Sequence, residues 1–442
     1  MKLPRRDKEK GSVSVIFLLT LVFVLIPLTG LAIDATVLYV VKVKLSAAVD
    51  AAALAGGRSL NSGQGAAKAT AQTYFSANFP ANYWNSVASA LVTVNLNQSC
   101  NSAPQCKVRT VTVQGQATVP LIFMRIFGFT QTIVADTGQA SRRDVNIILV
   151  LDRSGSMQAS GSCGPMKAAA QEFVDMFSSG TDTLGLITFM QSANLDFAPT
   201  TNFQPGMNTV IGQLICTSST ATADTLHLAY QQILAIGQPE KLNVIVLFTD
   251  GIPNGVRATY PGTATTKCQA GVPLTGSISE GSPTSGVWDA TGVPDWSQPK
   301  GVIPVPGCAF ATNPNAVDQD VAYIPDADLW GNSTRCCFIT PPFDASNHIP
   351  VNTFAAINAA SINAADNQAR TIRNDRTYQP IIYAIGYSVL INKPLLLSIA
   401  NDPSSPTYDP SVPAGLFVYA PDKSALSSAF NTIASQILRL SQ

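Results

Sequence analysis

From Val13 to Ile33 the chain runs for 21 residues without a charged side chain. A helix of that length rises about 30 Å, the thickness of a bilayer's hydrocarbon core. In lipid each backbone polar group must be satisfied within the segment, so a run like this is expected as a single spanning helix. Everything else must then lie on one side of the membrane or the other. Lys2, Arg5, Arg6, Lys8 and Lys10 precede the run, and the nearest cations after it are Lys42 and Lys44. Positive charge collects on the cytoplasmic side, which puts residues 1–12 inside as a basic tail and the bulk of the chain outside. A cleaved signal peptide is the competing reading, with Gly30 and Ala32 as the small residues before a cut. The run is long for a signal, and its helical pattern continues through Val37, Leu38, Val41 and Leu45. An uncleaved anchor over 13–33 is therefore the expectation.

The second constraint lies mid-chain. Val145-Asn146-Ile147-Ile148-Leu149-Val150-Leu151 is nearly unbroken apolar sequence, the pattern of a strand buried on both faces of a parallel sheet. It runs into Asp152-Arg153-Ser154-Gly155-Ser156, which offers one carboxylate and two hydroxyls on a short loop. These are hard oxygen donors, suited to Mg²⁺ rather than to softer metals. A matching strand, Asn243 to Phe248, ends in Thr249-Asp250-Gly251 and delivers Asp250 to the same sheet edge. Between them, Ser218 to Asp224 offers Thr220 just ahead of a helix over 225–236. Ser, Asp and Gly are ordinary turn residues, so Asp-x-Ser-x-Ser alone is a weak pattern. Its position after a buried strand, with the other elements in order, gives it weight.

The surrounding pattern predicts a doubly wound, mostly parallel α/β sheet. Helices are expected over 164–177, 206–215, 225–236, 353–374, 393–400 and 424–440, and further strands over 184–189, 380–386 and 416–419. The last helix is amphipathic, with Leu426, Phe430, Ile433, Ile437 and Leu440 on one side. In such sheets ligands bind beyond the carboxyl ends of the strands, where all the oxygen donors fall.

Asp-x-Ser-x-Ser, a downstream Thr and a Thr-Asp-Gly after a buried strand resemble the metal-ion-dependent adhesion site of von Willebrand factor type A (vWA) domains. The resemblance implies Mg²⁺, or Mn²⁺ or Ca²⁺, held by Asp152, Ser154, Ser156, Thr220 and Asp250. Where that family usually has two glycines before the Thr, this chain has Ser218 and Ser219, and Thr222 is a competing hydroxyl nearby. Arg153 and Gln158 are expected to ring the open coordination position.

A second resemblance covers the first 60 or so residues. Gly11, Gly30-Leu31-Ala32-Ile33-Asp34 and Ala48-Val49-Asp50-Ala51-Ala52-Ala53-Leu54-Ala55-Gly56 are similar to TadG-like proteins of tight-adherence (Tad, Flp-type) pilus assembly. Related pseudopilins carry a glutamate five residues after a processing glycine. Ile16 stands there after Gly11, which argues against prepilin-type processing and for a retained anchor in the bacterial inner membrane. The resemblance implies an anchor followed by a C-terminal vWA domain.

Residues 34–143 read as a small α+β spacer: helix, a break near Asn61 to Gly65, helix again, then alternating strands at 91–96, 108–113 and 130–140. Pro120 to Phe127 is strongly apolar and too short to span; a buried helical turn is expected, with a second membrane contact as the alternative. Residues 144–442 form the expected vWA domain, with an insertion at about 254–352 rich in Pro, Gly, Ser and Thr. A structureless loop of that length is unusual inside a domain, so a small stapled subdomain is expected, overhanging the metal edge or merely decorating it. The chain has eight cysteines, placed where disulfides persist. Cys100–Cys106 and Cys163–Cys216 are expected pairs; Cys268, Cys308, Cys336 and Cys337 have three possible connectivities.

The 27 basic and 27 acidic residues balance, which gives no electrostatic basis for nucleic-acid binding. Only His227 and His348 could serve as a histidine base, and no Gly-x-Ser-x-Gly or Gly-Lys-Ser/Thr motif occurs, so catalysis is not expected. The expected function is non-enzymatic: a tethered protein whose bound cation meets an Asp or Glu of a pilus-assembly or surface component. A surface adhesin unrelated to pili is the alternative, and a hydrolase the least favoured reading.

Overall fold

The computed structural model describes residues 10–99, 107–189, 193–216, 220–262, 273–279, 321–389 and 391–441. The chain divides between Arg142 and Arg143 into two compact units. Cys100, Cys106, Ser218, Ser219, Cys268 and Cys308 lie outside the described residues, and so does the expected Cys100–Cys106 bridge.

In the first unit, helix α1 (Lys10–Thr20), a π-helical turn (Leu21–Leu25) and helix α2 (Ile26–Arg58) follow one another without a break. From Ser14 to Arg58 this is the one helix, among the described residues, long and apolar enough to cross a membrane. Its N-terminal half presents large apolar side chains all round, whereas Val41, Leu45, Ala48, Val49 and Ala52 are buried. These residues pack with helix α3 (Gln64–Asn78) on an antiparallel sheet of β1 (Val87–Ser99), β2 (Lys107–Pro120) and β3 (Gln131–Arg142). The alanine-rich stripe of α2 lets the helix sit close to the strands; Val49 and Leu45 fill the space that a side chain at Gly115 would need.

The expected burial of the segment after β2 is corrected. A helical turn does form, at Met124–Phe127, but it lies on the surface. Ile122, Ile126, Phe127 and Phe129 are 59–78% exposed.

In the second unit a six-stranded sheet has the order β11-β10-β7-β4-β5-β6. Its strands are β4 (Val145–Asp152), β5 (Thr183–Phe189), β6 (Ala193–Thr200), β7 (Leu242–Thr249), β10 (Ile381–Tyr387) and β11 (Phe417–Ala420). All neighbours are parallel except β5 and β6. This is the doubly wound α/β fold that the strand patterns predict; the antiparallel edge strand β6 was not anticipated. Every residue of β4 and β7 is buried. Successive side chains still divide between the two faces, as the period of two requires. Ile147, Leu149 and Leu151 pack toward helices α5 (Cys163–Asp175), α6 (Gly206–Gln213) and α10 (Leu426–Leu440). Ile148 and Val150 pack toward α7 (Thr222–Ile236), α8 (Phe354–Arg373) and α9 (Lys393–Ala400).

The described part of the insertion is ordered around a hairpin of β8 (Gly255–Tyr260) and β9 (Leu274–Ser279). Val256, Ala258, Tyr260, Ile324 and Ile349 form a small core against Ala356, Ile357 and Ala360 of α8. Cys163 bonds to Cys216 as expected, and Cys336 bonds to Cys337.

Candidate functional site

Strands β4 and β7 are adjacent and parallel, with Leu151 paired to Phe248. The next residue on β4 is Asp152, and Thr249-Asp250 continues β7. The chain proceeds from β4 to β5 on one side and reaches β7 on the other, so these strand ends flank the point where the winding reverses. Crevices at such points are where open α/β sheets bind ligands.

Asp152 ends β4 fully buried, with neutral donors on both oxygens. The Ser154 N–H donates to Oδ1 at 2.8 Å and the Thr249 hydroxyl to Oδ2 at 2.6 Å. The loop turns at once into a short helix, α4 (Gly155–Ala159), and brings Ser154 and Ser156 around to face β7. Ser156 Oγ donates to Asp250 Oδ1 at 2.7 Å, Ser154 Oγ reaches the same oxygen at 3.3 Å, and the two hydroxyls are 2.9 Å apart. Asp152, Ser154, Thr220 and Asp250 are at most 3% exposed, while Ser156 opens to solvent.

Thr220 stands at the start of α7, beside the Asp250 turn: a Cβ at Gly251 would lie 3.4 Å from its hydroxyl. Its backbone is locked to Asn254, whose side chain accepts from the Thr220 N–H at 2.7 Å and whose N–H donates to the Thr220 carbonyl at 3.0 Å. The nearby Thr222 hydroxyl is buried without a hydrogen-bond partner among the described residues.

Burial pushes the Asp152 carboxyl up to about 7; the Asp250 charge adds to this, and the Thr249 and Ser154 hydrogen bonds work against it. Burial also raises Asp250, against the hydrogen bonds of Ser156 and Ser154. No Lys or Arg forms an ion pair with either carboxylate among the described residues. Two buried acids with converging hydroxyls, and no cation paired to either acid among the described residues, are a donor set that fits a hard divalent ion.

The expectation that Arg153 rings the open position is corrected. Arg153 is fully buried and turns away, donating from Nε to Thr188 Oγ1 at 2.9 Å and from a terminal nitrogen to the Ile215 carbonyl. Burial lowers it to about 10, with the Asp196 charge opposing. Gln158 is exposed beside the loop. His227 stacks on Trp330 with centroids 3.9 Å apart. Thr249 and Asn254 are the contributors that sequence reasoning missed, although Thr249 stood inside the Thr-Asp-Gly signal.

Residues 147–252 match the von Willebrand factor type A domain family. Residues 11–59 match the family described as "Putative Flp pilus-assembly TadE/G-like". The chain thus joins a TadE/G-like N-terminal segment to a vWA domain. Similar solved structures include the vWF domain of the type V pili tip protein Mfa5 from Porphyromonas gingivalis (16% identity, TM-score 0.41), with 69% of this chain and 98% of that one covered. The pilus adhesin SpaC from Lactobacillus rhamnosus GG, in an open conformation, is 12% identical with TM-score 0.39. That likeness covers 80% of this chain but only 34% of SpaC. The PilB minor pilin from Streptococcus sanguinis is 14% identical with TM-score 0.36, over 81% and 80% of the two chains. No curated protein matches the chain.

Proposed function

We propose that this is a membrane-anchored, metal-dependent binding protein of a Tad/Flp-type pilus-assembly system. The observation that carries the reading is the meeting of Ser154 and Ser156 with Asp250, beside Asp152, at one edge of the sheet. Asp152, Ser154, Ser156, Thr220 and Asp250 would hold Mg²⁺ or a similar cation. Bound there, the ion offers a partner's Asp or Glu carboxylate a direct bond. The protein's part is to hold the oxygens rigidly, with Ser156 marking the side open to solvent. The serine hydroxyls bond to each other and to Asp250, so that their oxygens already converge on one point. The TadE/G-like match and the long apolar helix support a single-pass anchor and a role at the pilus machinery. The basic residues ahead of that helix favour a cytoplasmic N-terminus, with the vWA domain outside the cytoplasm.

The test is a pull-down from envelope extract with the full-length protein, in Mg²⁺ and in chelator, for wild type and Asp152→Ala. A partner retained only by wild type in Mg²⁺ is the expected result. An interaction indifferent to both changes removes metal-bridged binding. Recovery of the protein on the cell exterior, apart from any pilus component, would favour the adhesin alternative.

A further inference from the structure

The loop between β2 and β3 is held to the long helix by a built seat. Asp34, one residue past the uncharged run, is 2% exposed. Its carboxylate accepts the backbone N–H groups of Ile122, Phe123 and Met124 at 2.9, 3.0 and 2.8 Å. Those three donors open the helical turn Met124–Phe127, so Asp34 caps it from another element. One turn earlier on α2, Gly30 leaves room for Phe123, whose ring would lie 2.7 Å from any Cβ there. The carboxylate is buried, whereas Ile122, Ile126, Phe127 and Phe129 point outward. A loop facing water would have the opposite arrangement. Phe127 and Phe129 also share an open apolar cleft with Phe23, Leu28 and Leu31 of the helix.

We infer that residues 121–129 are a second membrane-contacting element, a wedge in the outer leaflet that reaches from the interfacial layer at Asp34 toward the hydrocarbon beside the spanning helix. The inference rests on the proposed anchor. Asp34 follows 21 uncharged residues, which places it at the outer boundary of a span beginning at Val13. The exposed loop residues are continuous with the helix surface that faces lipid, and this continuity points to a bilayer as the occupant. Exposed aromatics beside Arg125 match the chemistry of the interface, with apolar rings inward and a cation at the headgroups. A helix alone is free to tilt; a helix with a rigid side wedge fixes the angle at which the α2–β1–β2–β3 module stands on the membrane.

The test uses the full chain in phosphatidylcholine–phosphatidylglycerol vesicles whose acyl chains carry bromine either near the glycerol or near the methyl end. Added tryptophan fluorescence is read as the difference from the unsubstituted protein. Phe127→Trp reports the wedge and Phe23→Trp reports the anchor. The expected result is quenching of both, with Phe127→Trp quenched most by shallow bromines and losing much of that quenching when Asp34→Ala is added. Quenching at Phe23→Trp without quenching at Phe127→Trp overturns the wedge and leaves the anchor standing. Quenching at neither removes the anchor and the wedge with it. Blue-shifted but unquenched emission from Phe127→Trp assigns the patch to a protein contact and overturns the inference. Quenching that ignores Asp34→Ala overturns the seat.

Discussion

The Thr249 hydroxyl donates to Asp152 Oδ2 at 2.6 Å, joining residues 97 apart in sequence. Both stand at the carboxyl ends of neighbouring parallel strands, so sheet register alone brings them level. With the Ser154 N–H on the other oxygen, this bond fixes the Asp152 carboxylate plane. Thr249→Val preserves shape but removes the donor. Groups that orient metal ligands are typically worth about 10–100-fold in affinity, and a loss of that size is expected for the cation proposed at this site. Mg²⁺ titration calorimetry on chelator-stripped protein measures it. An unchanged Kd would mean that Asp152 needs no such support.

The Cys163–Cys216 disulfide closes a loop with a sequence separation of 53, from the start of α5 to four residues before Thr220. Replacing both cysteines by serine restores that freedom to the unfolded chain, at an expected cost of about 2–4 kcal/mol. Guanidinium unfolding under oxidising conditions reads the change. Because the bond ends so near Thr220, affinity for the proposed Mg²⁺ should fall alongside stability. A stability loss with intact affinity would show that the Thr220 loop is held by Asn254 without help.

How much of this was legible in the residues follows from where each side chain lies. β4 and β7 are readable because strands buried on both faces tolerate almost nothing polar. Asp152, Ser154, Ser156 and Asp250 meet because those strands are neighbours, which their order in an α/β chain already suggests. β6 was missed although Leu195 and Phe197 alternate with Asn194 and Asp196. Its half-buried edge pattern is interrupted by Pro199 before the strand ends at Thr200, close to the signal of a loop. Val256, Ala258 and Tyr260 carried a similar period-two signal, hidden within the Pro/Gly-rich insertion. The direction of Arg153 could not be read from composition. It follows Asp152 on an extended backbone, so the two side chains leave on opposite sides, and only the sheet shows that Thr188 and Asp196 wait there. The exposure of Phe127 was equally hidden, since an apolar loop reads as buried until its surroundings are known.

Asp224 gathers three donors from separate parts of the second unit. Arg257 of β8 and the Trp330 indole reach Oδ1 at 3.2 and 3.1 Å, and the Ala193 N–H reaches Oδ2 at 3.1 Å. His227, one turn along α7, stacks on the same indole. This cluster ties the insertion to the helix that follows Thr220. Asp224→Ala strands three donors at once, and a loss of about 2–4 kcal/mol is expected. Limited proteolysis should show faster cleavage within residues 254–352, detected by mass spectrometry of the fragments. Unchanged cleavage there would leave the small core on α8 as sufficient attachment.

Asp402 secures the outer strand of the sheet by charge, and that attachment should be sensitive to acid. Burial pushes its carboxyl up, but the Phe417 N–H at 2.9 Å and the Ser404 hydroxyl and N–H at 2.6 and 2.8 Å together hold it below its ordinary value. Phe417 opens β11 and pairs with Ala384 of β10. A depressed folded pKa means that the stabilisation is complete above the unfolded value of about 3.9 and disappears as pH falls through the folded one. Asp402→Asn lacks it throughout. Denaturant midpoints measured from neutral pH down to about pH 3 should therefore show the variant below wild type at neutrality, with the gap closing in acid. A constant offset at every pH would assign the effect of Asp402 to shape and neutral hydrogen bonding, with its charge irrelevant.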